Sequence, residues 1–213
     1  MIKTDEPRPD SQLYLISPLD VGGMFPDRLA RALDAGRVGA FQLRVKEVDE
    51  HIAAKLAEPL QRLCADRGVA FIVNDSIALA KRLGADGVHL GQSDGEVADA
   101  RERLGRDAQI GVTCHGSKDL AMAAGEAGAD YVAFGAFFPT ATKEVEHYAQ
   151  PDVLEWWQAI FEIPCVAIGG ITPENGGALV KAGADFLAVC GAVWNGDETA
   201  AVVAFQAALA APR

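Results

Sequence analysis

Short polar clusters, each following directly on an apolar run, carry the residues of this chain that could do chemistry. The first is Gln42-Leu43-Arg44-Val45-Lys46. On an extended backbone alternate residues share a face, so one amide and two cations converge there. Later clusters are Asn74-Asp75, Gln92 with Asp94, Thr113-Cys114-His115, and Pro139-Thr140-Ala141-Thr142-Lys143. Cations beside hydroxyls suit phosphate oxygens. Two carboxylates suit Mg²⁺, which takes one or two from the protein and leaves its other positions to water and substrate phosphates. Arg44, Lys46, Lys143, Asp75 and Asp94 therefore predict a Mg²⁺-dependent site for a diphosphate. A second anion site is predicted at Ile168-Gly169-Gly170-Ile171-Thr172-Pro173 and Val189-Cys190-Gly191-Ala192, where glycine-bearing turns open onto helices and could offer backbone N–H groups to a phosphate monoester.

Taken singly, each residue has an ordinary explanation. A strand-end Arg is commonly a solvated charge, and Asn-Asp is a common turn and helix cap. The sorting carries the argument. In a chain with 30 acidic and 19 basic residues, three cations fall at the ends of apolar runs with two acids on neighbouring units. The histidines say less. His51 belongs to a helix, His89 lies within an apolar run and suits interior packing, and His147 sits in an acidic loop. His115 is the best acid/base candidate.

These clusters need elements to hold them. Apolar, strand-like runs occur at Leu13–Ser17, Ala40–Arg44, Ala70–Asn74, Gly87–Leu90, Gln109–Thr113, Tyr131–Phe137, Pro164–Gly169 and Phe186–Gly191. They alternate with amphipathic, Ala-rich stretches of helical period, from Asp27–Ala35 to Glu198–Leu209. The strand runs are expected to be apolar on both faces. Eight such pairs at about 27 residues each predict an α/β chain folded as a single (β/α)8 TIM barrel, slightly below the fold's usual size. A doubly wound sheet would ordinarily carry G-x-G-x-x-G after its first strand, which is absent. A Gly-Ala-Asp triplet recurs at residues 84–86, 128–130 and 183–185, each closing a helix and opening a strand. Its glycine suits a left-handed cap, and its place at the strand's N-terminal end reads as structural. Residues 1–11, with two prolines in MIKTDEPRPDS, are expected to be a flexible lead-in to one domain over 12–213.

Composition narrows the function further. A net charge of −11 disfavours nucleic acid and anionic membrane as partners, since both need a basic face. No apolar run reaches the ~18 residues of a membrane span, and the start lacks a signal-peptide core, so a cytoplasmic protein is expected. Cys64, Cys114, Cys165 and Cys190 never approach C-x-x-C spacing and read as small buried hydrophobes.

Five ordered motifs together resemble a known family: Gln42-x-Arg44-x-Lys46, Asn74-Asp75, the stretch Gly84-Ala85-Asp86-Gly87-Val88-His89-Leu90-Gly91-Gln92-x-Asp94, Gly135-x-x-x-Pro139-Thr140-x-Thr142-Lys143, and Ile168-Gly169-Gly170-Ile171. The chain from residue 12 resembles the thiamine-phosphate synthases, with the thiazole tautomerases as near relatives. The resemblance implies a transferase that joins hydroxymethylpyrimidine diphosphate to thiazole monophosphate and releases pyrophosphate. It implies that Gln42, Arg44, Lys46 and Asn74 hold the pyrimidine diphosphate and that Asp75 and Asp94 hold Mg²⁺. Thr113, Thr140, Thr142 and Lys143 would contact the diphosphate or the thiazole, with Gly170, Cys190 and Gly191 at the thiazole phosphate. Arg44, Lys46, Thr113 and Lys143 would be the catalytic groups of a dissociative reaction. Two positions depart from the family: Thr113 and Gly191 stand where Ser is common. A tautomerase would need His115 and the monophosphate site but not the cation and carboxylate set, whose retention favours the synthase. The Gly191 departure is the one motive for a catalytically silent binding relative. A homodimer is expected, as is a lid formed by residues 140–151.

Overall fold

The computed structural model describes residues 10–140 and 148–210 of the 213-residue chain. Strands and helices alternate along it: β1 (Gln12–Ile16), α1 (Phe25–Asp34), β2 (Val38–Leu43), α2 (Glu50–Ala65), β3 (Ala70–Asn74), α3 (Ile77–Leu83), β4 (Gly87–Leu90) and α4 (Val97–Leu104). The second half continues with β5 (Gln109–His115), α5 (Lys118–Glu126), β6 (Tyr131–Phe134), α6 (Asp152–Ile160), β7 (Cys165–Ile168), α7 (Pro173–Lys181), β8 (Phe186–Val189), α8 (Gly191–Trp194) and α9 (Glu198–Leu209). All strands are parallel, and β1 pairs with β8 through Leu13 and Leu187 to close the sheet into an eight-stranded barrel. The (β/α)8 expectation is met.

Local chemistry starts the helices where the chain leaves each strand. Asp49, Ser76, Ser117 and Asp197 each accept a backbone N–H of the following turn, at α2, α3, α5 and α9. Such caps set where each helix begins, and therefore the length of the loop that carries functional side chains.

The Gly-Ala-Asp repeat is structural. Asp86 Oδ2 accepts from Phe71 N at 2.7 Å, Asp130 Oδ2 from Ile110 N at 2.7 Å, and Asp185 Oδ2 from Cys165 N at 2.8 Å. Each carboxylate thus satisfies an N–H at the start of the neighbouring odd-numbered strand. The backbone N–H of the same Asp returns a bond to that residue's carbonyl. Gly84 caps α3 at φ 58°, in the left-handed region.

Strand alternation sorts the core into two shells. Phe41, Leu60, Phe71, Phe134, Trp157 and Phe205 lie between sheet and helices. Tyr14, Ile16, Ala40, Ile72, Tyr131, Ala133, Val166 and Ala188 fill the barrel. The expectation of strands apolar on both faces holds on the outer face only. The interior also buries Gln42 and His89 together with the two phenols.

Other differences are local. The helix expected from Asp94 begins at Val97, because Asp94 Oδ2 turns back to accept Gly91 N at 2.9 Å and keeps residues 91–96 as a loop. The run expected to reach Phe137 ends at Phe134; at Gly135, with φ 150°, a Cβ would lie 2.1 Å from the Ile168 carbonyl oxygen. Four-residue α8 has no sequence signature, being too short to show a helical period. It is anchored by Trp194, whose Nε1 donates to the Ile16 carbonyl at 2.6 Å. Of the expected flexible lead-in, residues 1–9 lie outside the described residues, while Ser11 Oγ donates to the Ala184 carbonyl at 2.8 Å.

Candidate active site

The carboxyl ends of the strands surround a cavity of about 1270 Å³. Every described residue among the expected site residues lines it: Gln42, Arg44, Lys46, Asn74, Asp75, Asp94, Thr113, Thr140, Gly170, Cys190 and Gly191. Thr142, Lys143 and His147 lie outside the described residues, as does the central part of the expected lid. The two anion sites read separately from the sequence open into one continuous space.

β2 ends at Leu43, so Arg44 and Lys46 stand on the turn beyond it. The backbone of Arg44 is tied down by its N–H, which donates to the Ser17 hydroxyl oxygen at 2.9 Å. Its guanidinium has no hydrogen-bonding or ion-pair partner among the described residues. In a chain of net charge −11, a half-buried arginine without a carboxylate is set to meet an anion from outside.

Lys46 Nζ lies 3.4 Å from Asp75 Oδ2. Asp75 itself takes a left-handed backbone at φ 64°, a costly conformation for a non-glycine residue. Its carboxyl is raised above the usual range, first by burial and then by the hydrogen bond and negative charge of Asp94, with Lys46 acting against the rise. Two acids forced together beside one lysine are a concentration of negative charge that a cation would relieve. Among the described residues no group of three or more acidic, His or Cys side chains could hold a metal. A pair of carboxylates is what Mg²⁺ asks of a protein when phosphates complete its shell.

Opposite, β6, β7 and β8 present backbone. Gly170 has φ 66°, and a Cβ there would stand 2.4 Å from the Pro139 carbonyl oxygen, so the β6 and β7 loops can only cross at a glycine. Asn175 Nδ2 donates to the Gly170 carbonyl at 3.1 Å and its Oδ1 accepts from Thr172 N at 2.8 Å, fixing the turn that enters α7.

Cys64, Cys114 and Cys165 are buried and Cys190 is half-buried. Burial pushes Cys64 and Cys114 up to about 12, and raises Cys190 against the lowering charge of Arg44. His51 is exposed on α2, and His115 lines the cavity as the last residue of β5, at φ 52°.

Sequence reasoning missed Tyr14 and Tyr131, whose hydroxyls are 2.9 Å apart inside the barrel, and it left His89 as packing. Burial pushes His89 down to about 4, so the imidazole is neutral. It also missed Asn195, whose Nδ2 would be 3.1 Å from a Cβ at Gly191. The alternation that places Tyr14 and Tyr131 on the inner face was legible; which interior groups touch was not.

A parallel eight-stranded barrel with an unpaired arginine, a lysine, two carboxylates and glycine turns around one cavity defines a (β/α)8 enzyme for small anionic substrates. The comparisons narrow the class. The family model for thiamine monophosphate synthase matches residues 13–193. A thiamine-phosphate synthase of Erythrobacter litoralis is 68% identical over 99% of this chain and 100% of its own length. Another, from Rhodospirillum centenum, is 56% identical over 87% of this chain and 90% of its own. The solved thiamine phosphate pyrophosphorylase of Pyrococcus furiosus superposes with a TM-score of 0.82 at 28% identity, covering 93% of this chain and 95% of that one. The chain belongs to the thiamine monophosphate synthase family.

Proposed function

We propose that this enzyme condenses hydroxymethylpyrimidine diphosphate with thiazole monophosphate to give thiamine phosphate and pyrophosphate. The observation that carries the reading is the unpaired Arg44 guanidinium in one cavity with Lys46 and the Asp75–Asp94 pair. A volume of about 1270 Å³ accommodates two small substrates together.

The reaction breaks the bond between the pyrimidine methylene and the diphosphate oxygen, and the electron pair leaves with pyrophosphate. The thiazole nitrogen then supplies its lone pair to the methylene carbon, and no proton is transferred. Such a step needs stabilisation of leaving-group charge more than a general base. Arg44 and Lys46 supply fixed positive charge from the turn after β2, and Lys143 is assigned to the same task. Thr113 and Thr140, with Thr142, offer hydroxyls to the diphosphate or thiazole. Gln42 and Asn74 hold the pyrimidine from the inner ends of β2 and β3. Gly170, Cys190 and Gly191 present the turns that take the thiazole phosphate. Asp75 and Asp94 are assigned to Mg²⁺, which when bound would neutralise diphosphate charge.

The acidic chain supports a cytoplasmic enzyme with no nucleic-acid partner. A homodimer belongs to the same reading: Leu19 and Met24, 55% and 68% exposed near the start of α1, are apolar surface that a contact would cover. Light scattering that finds only monomer overturns that part. For the reaction itself, purified protein is mixed with both substrates and pyrophosphate release is followed, with and without Mg²⁺. Release that needs both substrates and the metal is expected; none under any condition overturns the reading. Lys143→Ala is expected to lower turnover roughly 10²-fold, the scale of one well-placed charge stabiliser.

A further inference from the structure

A single hydrogen-bonded chain runs through the barrel interior beneath the cavity. Gln42 Nε2 donates to Tyr14 Oη at 2.9 Å, and Tyr14 Oη lies 2.9 Å from Tyr131 Oη. Tyr131 Oη lies 3.1 Å from His89 Nδ1, and His89 Nε2 lies 2.8 Å from Thr113 Oγ1. The path crosses β2, β1, β6, β4 and β5 in turn. Both ends, Gln42 and Thr113, line the cavity. Space for it is built into the backbone: a Cβ at Gly111 would lie 1.9 Å from Tyr131 Cζ, so only glycine lets that phenol reach across.

Counting hydrogens sets its direction. No link's side-chain atoms have another hydrogen-bond partner among the described residues. Both phenols stay protonated at neutral pH, because burial raises Tyr14 to about 12 and Tyr131 well above its ordinary value. The Gln42 NH₂ donates to Tyr14 and cannot accept, so among the described residues the Tyr14 hydrogen has Tyr131 as its acceptor. The Tyr131 hydrogen then goes to His89 Nδ1, which must be bare. A neutral imidazole then carries its hydrogen on Nε2 and donates it to Thr113 Oγ1. The Thr113 hydrogen is left over. A turned-over Gln42 amide would reverse every link and commit the Thr113 hydrogen to His89, leaving only lone pairs toward the cavity.

We infer that Tyr14, Tyr131 and His89 are positioning residues that form a one-way relay, which presents the Thr113 hydroxyl to substrate as a hydrogen donor and Gln42 Oε1 as an acceptor. The polarity suits an anion, which needs donors. Its substrate half rests on the proposed function: the Thr113 hydrogen meets a diphosphate oxygen, and Gln42 Oε1 receives an N–H of the pyrimidine's amino substituent.

The test reads the relay without substrates, so its failure is distinct from failure of the pyrophosphate assay. Protein labelled with ¹⁵N at histidine is examined by NMR at neutral pH, and the His89 resonances are assigned by their loss in His89→Gln. The expected result is a bare Nδ1 and a protonated, slowly exchanging Nε2. A hydrogen on Nδ1, or an imidazolium, overturns the proposal. Kinetics supply the second arm. Tyr14→Phe and Tyr131→Phe each lower kcat by about tenfold, one hydrogen bond's worth, with KM for the thiazole phosphate unchanged. The double variant loses no more than the worse single one, because both cut one chain. Thr113→Ser retains turnover and Thr113→Val does not. Losses that multiply in the double variant, or that track melting temperature alone, overturn the relay.

Discussion

Arg44 is defined by what it lacks. With no carboxylate among the described residues to neutralise it, its charge is available to a bound anion, and the Ser17 hydroxyl holds its backbone in place. Arg44→Ala is therefore expected to lower kcat/KM by roughly 10²- to 10³-fold, with Arg44→Lys recovering only part because the planar fork is lost. Steady-state assays of pyrophosphate release check this. Asn195 makes a different prediction. Its amide stands beside Gly191, where the family commonly has Ser, and so can meet the ligand that a serine hydroxyl would. Asn195→Ala is expected to raise KM for the thiazole phosphate about tenfold, the scale of one lost hydrogen bond, with kcat little changed. An unchanged KM would remove Asn195 from the site. Lys46 is unlike Arg44: it is half-exposed and already beside Asp75, whose raised carboxyl it acts to lower.

At the scale of elements, the barrel separates stability from chemistry by its two ends. The Gly-Ala-Asp carboxylates lie at the N-terminal ends of the strands, opposite the cavity, and fasten one strand to the next. Asp185 also accepts from Gln158 Nε2 at 2.9 Å, which draws α6 onto the barrel. Asp185→Ala leaves the Cys165 N–H without this acceptor and is expected to cost about 1–3 kcal/mol in urea unfolding. Michaelis constants should be unchanged, since no atom of the cavity is touched. Gly111 belongs to the same argument from the other side. Gly111→Ala would force Tyr131 out of its lane, and is expected to lower both the melting temperature and kcat.

For the whole molecule, the buried interior predicts how stability responds to acid. His89 has its pKa depressed from 6.5 to about 4 by burial, so between these values the unfolded chain binds a proton that the folded chain refuses. That contribution is fully present above pH 6.5 and is lost as pH falls toward 4, amounting to at most about 3 kcal/mol at roughly 1.4 kcal/mol per unit. Asp75 works in the opposite direction, since its raised pKa lets the folded chain take up its proton first. Comparing urea-unfolding free energies of wild type and His89→Gln from pH 7 to pH 4 isolates the imidazole. The wild-type curve is expected to fall more steeply; parallel curves would show that His89 does not titrate on unfolding.

Much of this protein is legible in its sequence, because periodicity and ordinal position are local properties. Alternating apolar runs and helical stretches specify eight units, and the polar clusters that end those runs must fall at one face of the closed barrel. This is why Arg44, Lys46, Asp75, Asp94, Thr113 and Gly170 could be expected from order alone to share one end of the barrel, where they line the cavity. Asp94 stayed in its loop, rather than opening α4, because its carboxylate found the Gly91 N–H, a contact no period reports. Only closure decided the rest. Closing the barrel brings Tyr14 to Tyr131, a pair separated by 117 residues, while the register of β4 on β5 brings His89 to Thr113, 24 residues apart. Closure also gathers the residues of both expected anion sites around one cavity. These contacts depend on barrel radius and strand stagger, which belong to all eight strands together. A side chain's direction follows from its neighbours in sequence, but its partner follows from where the whole sheet ends.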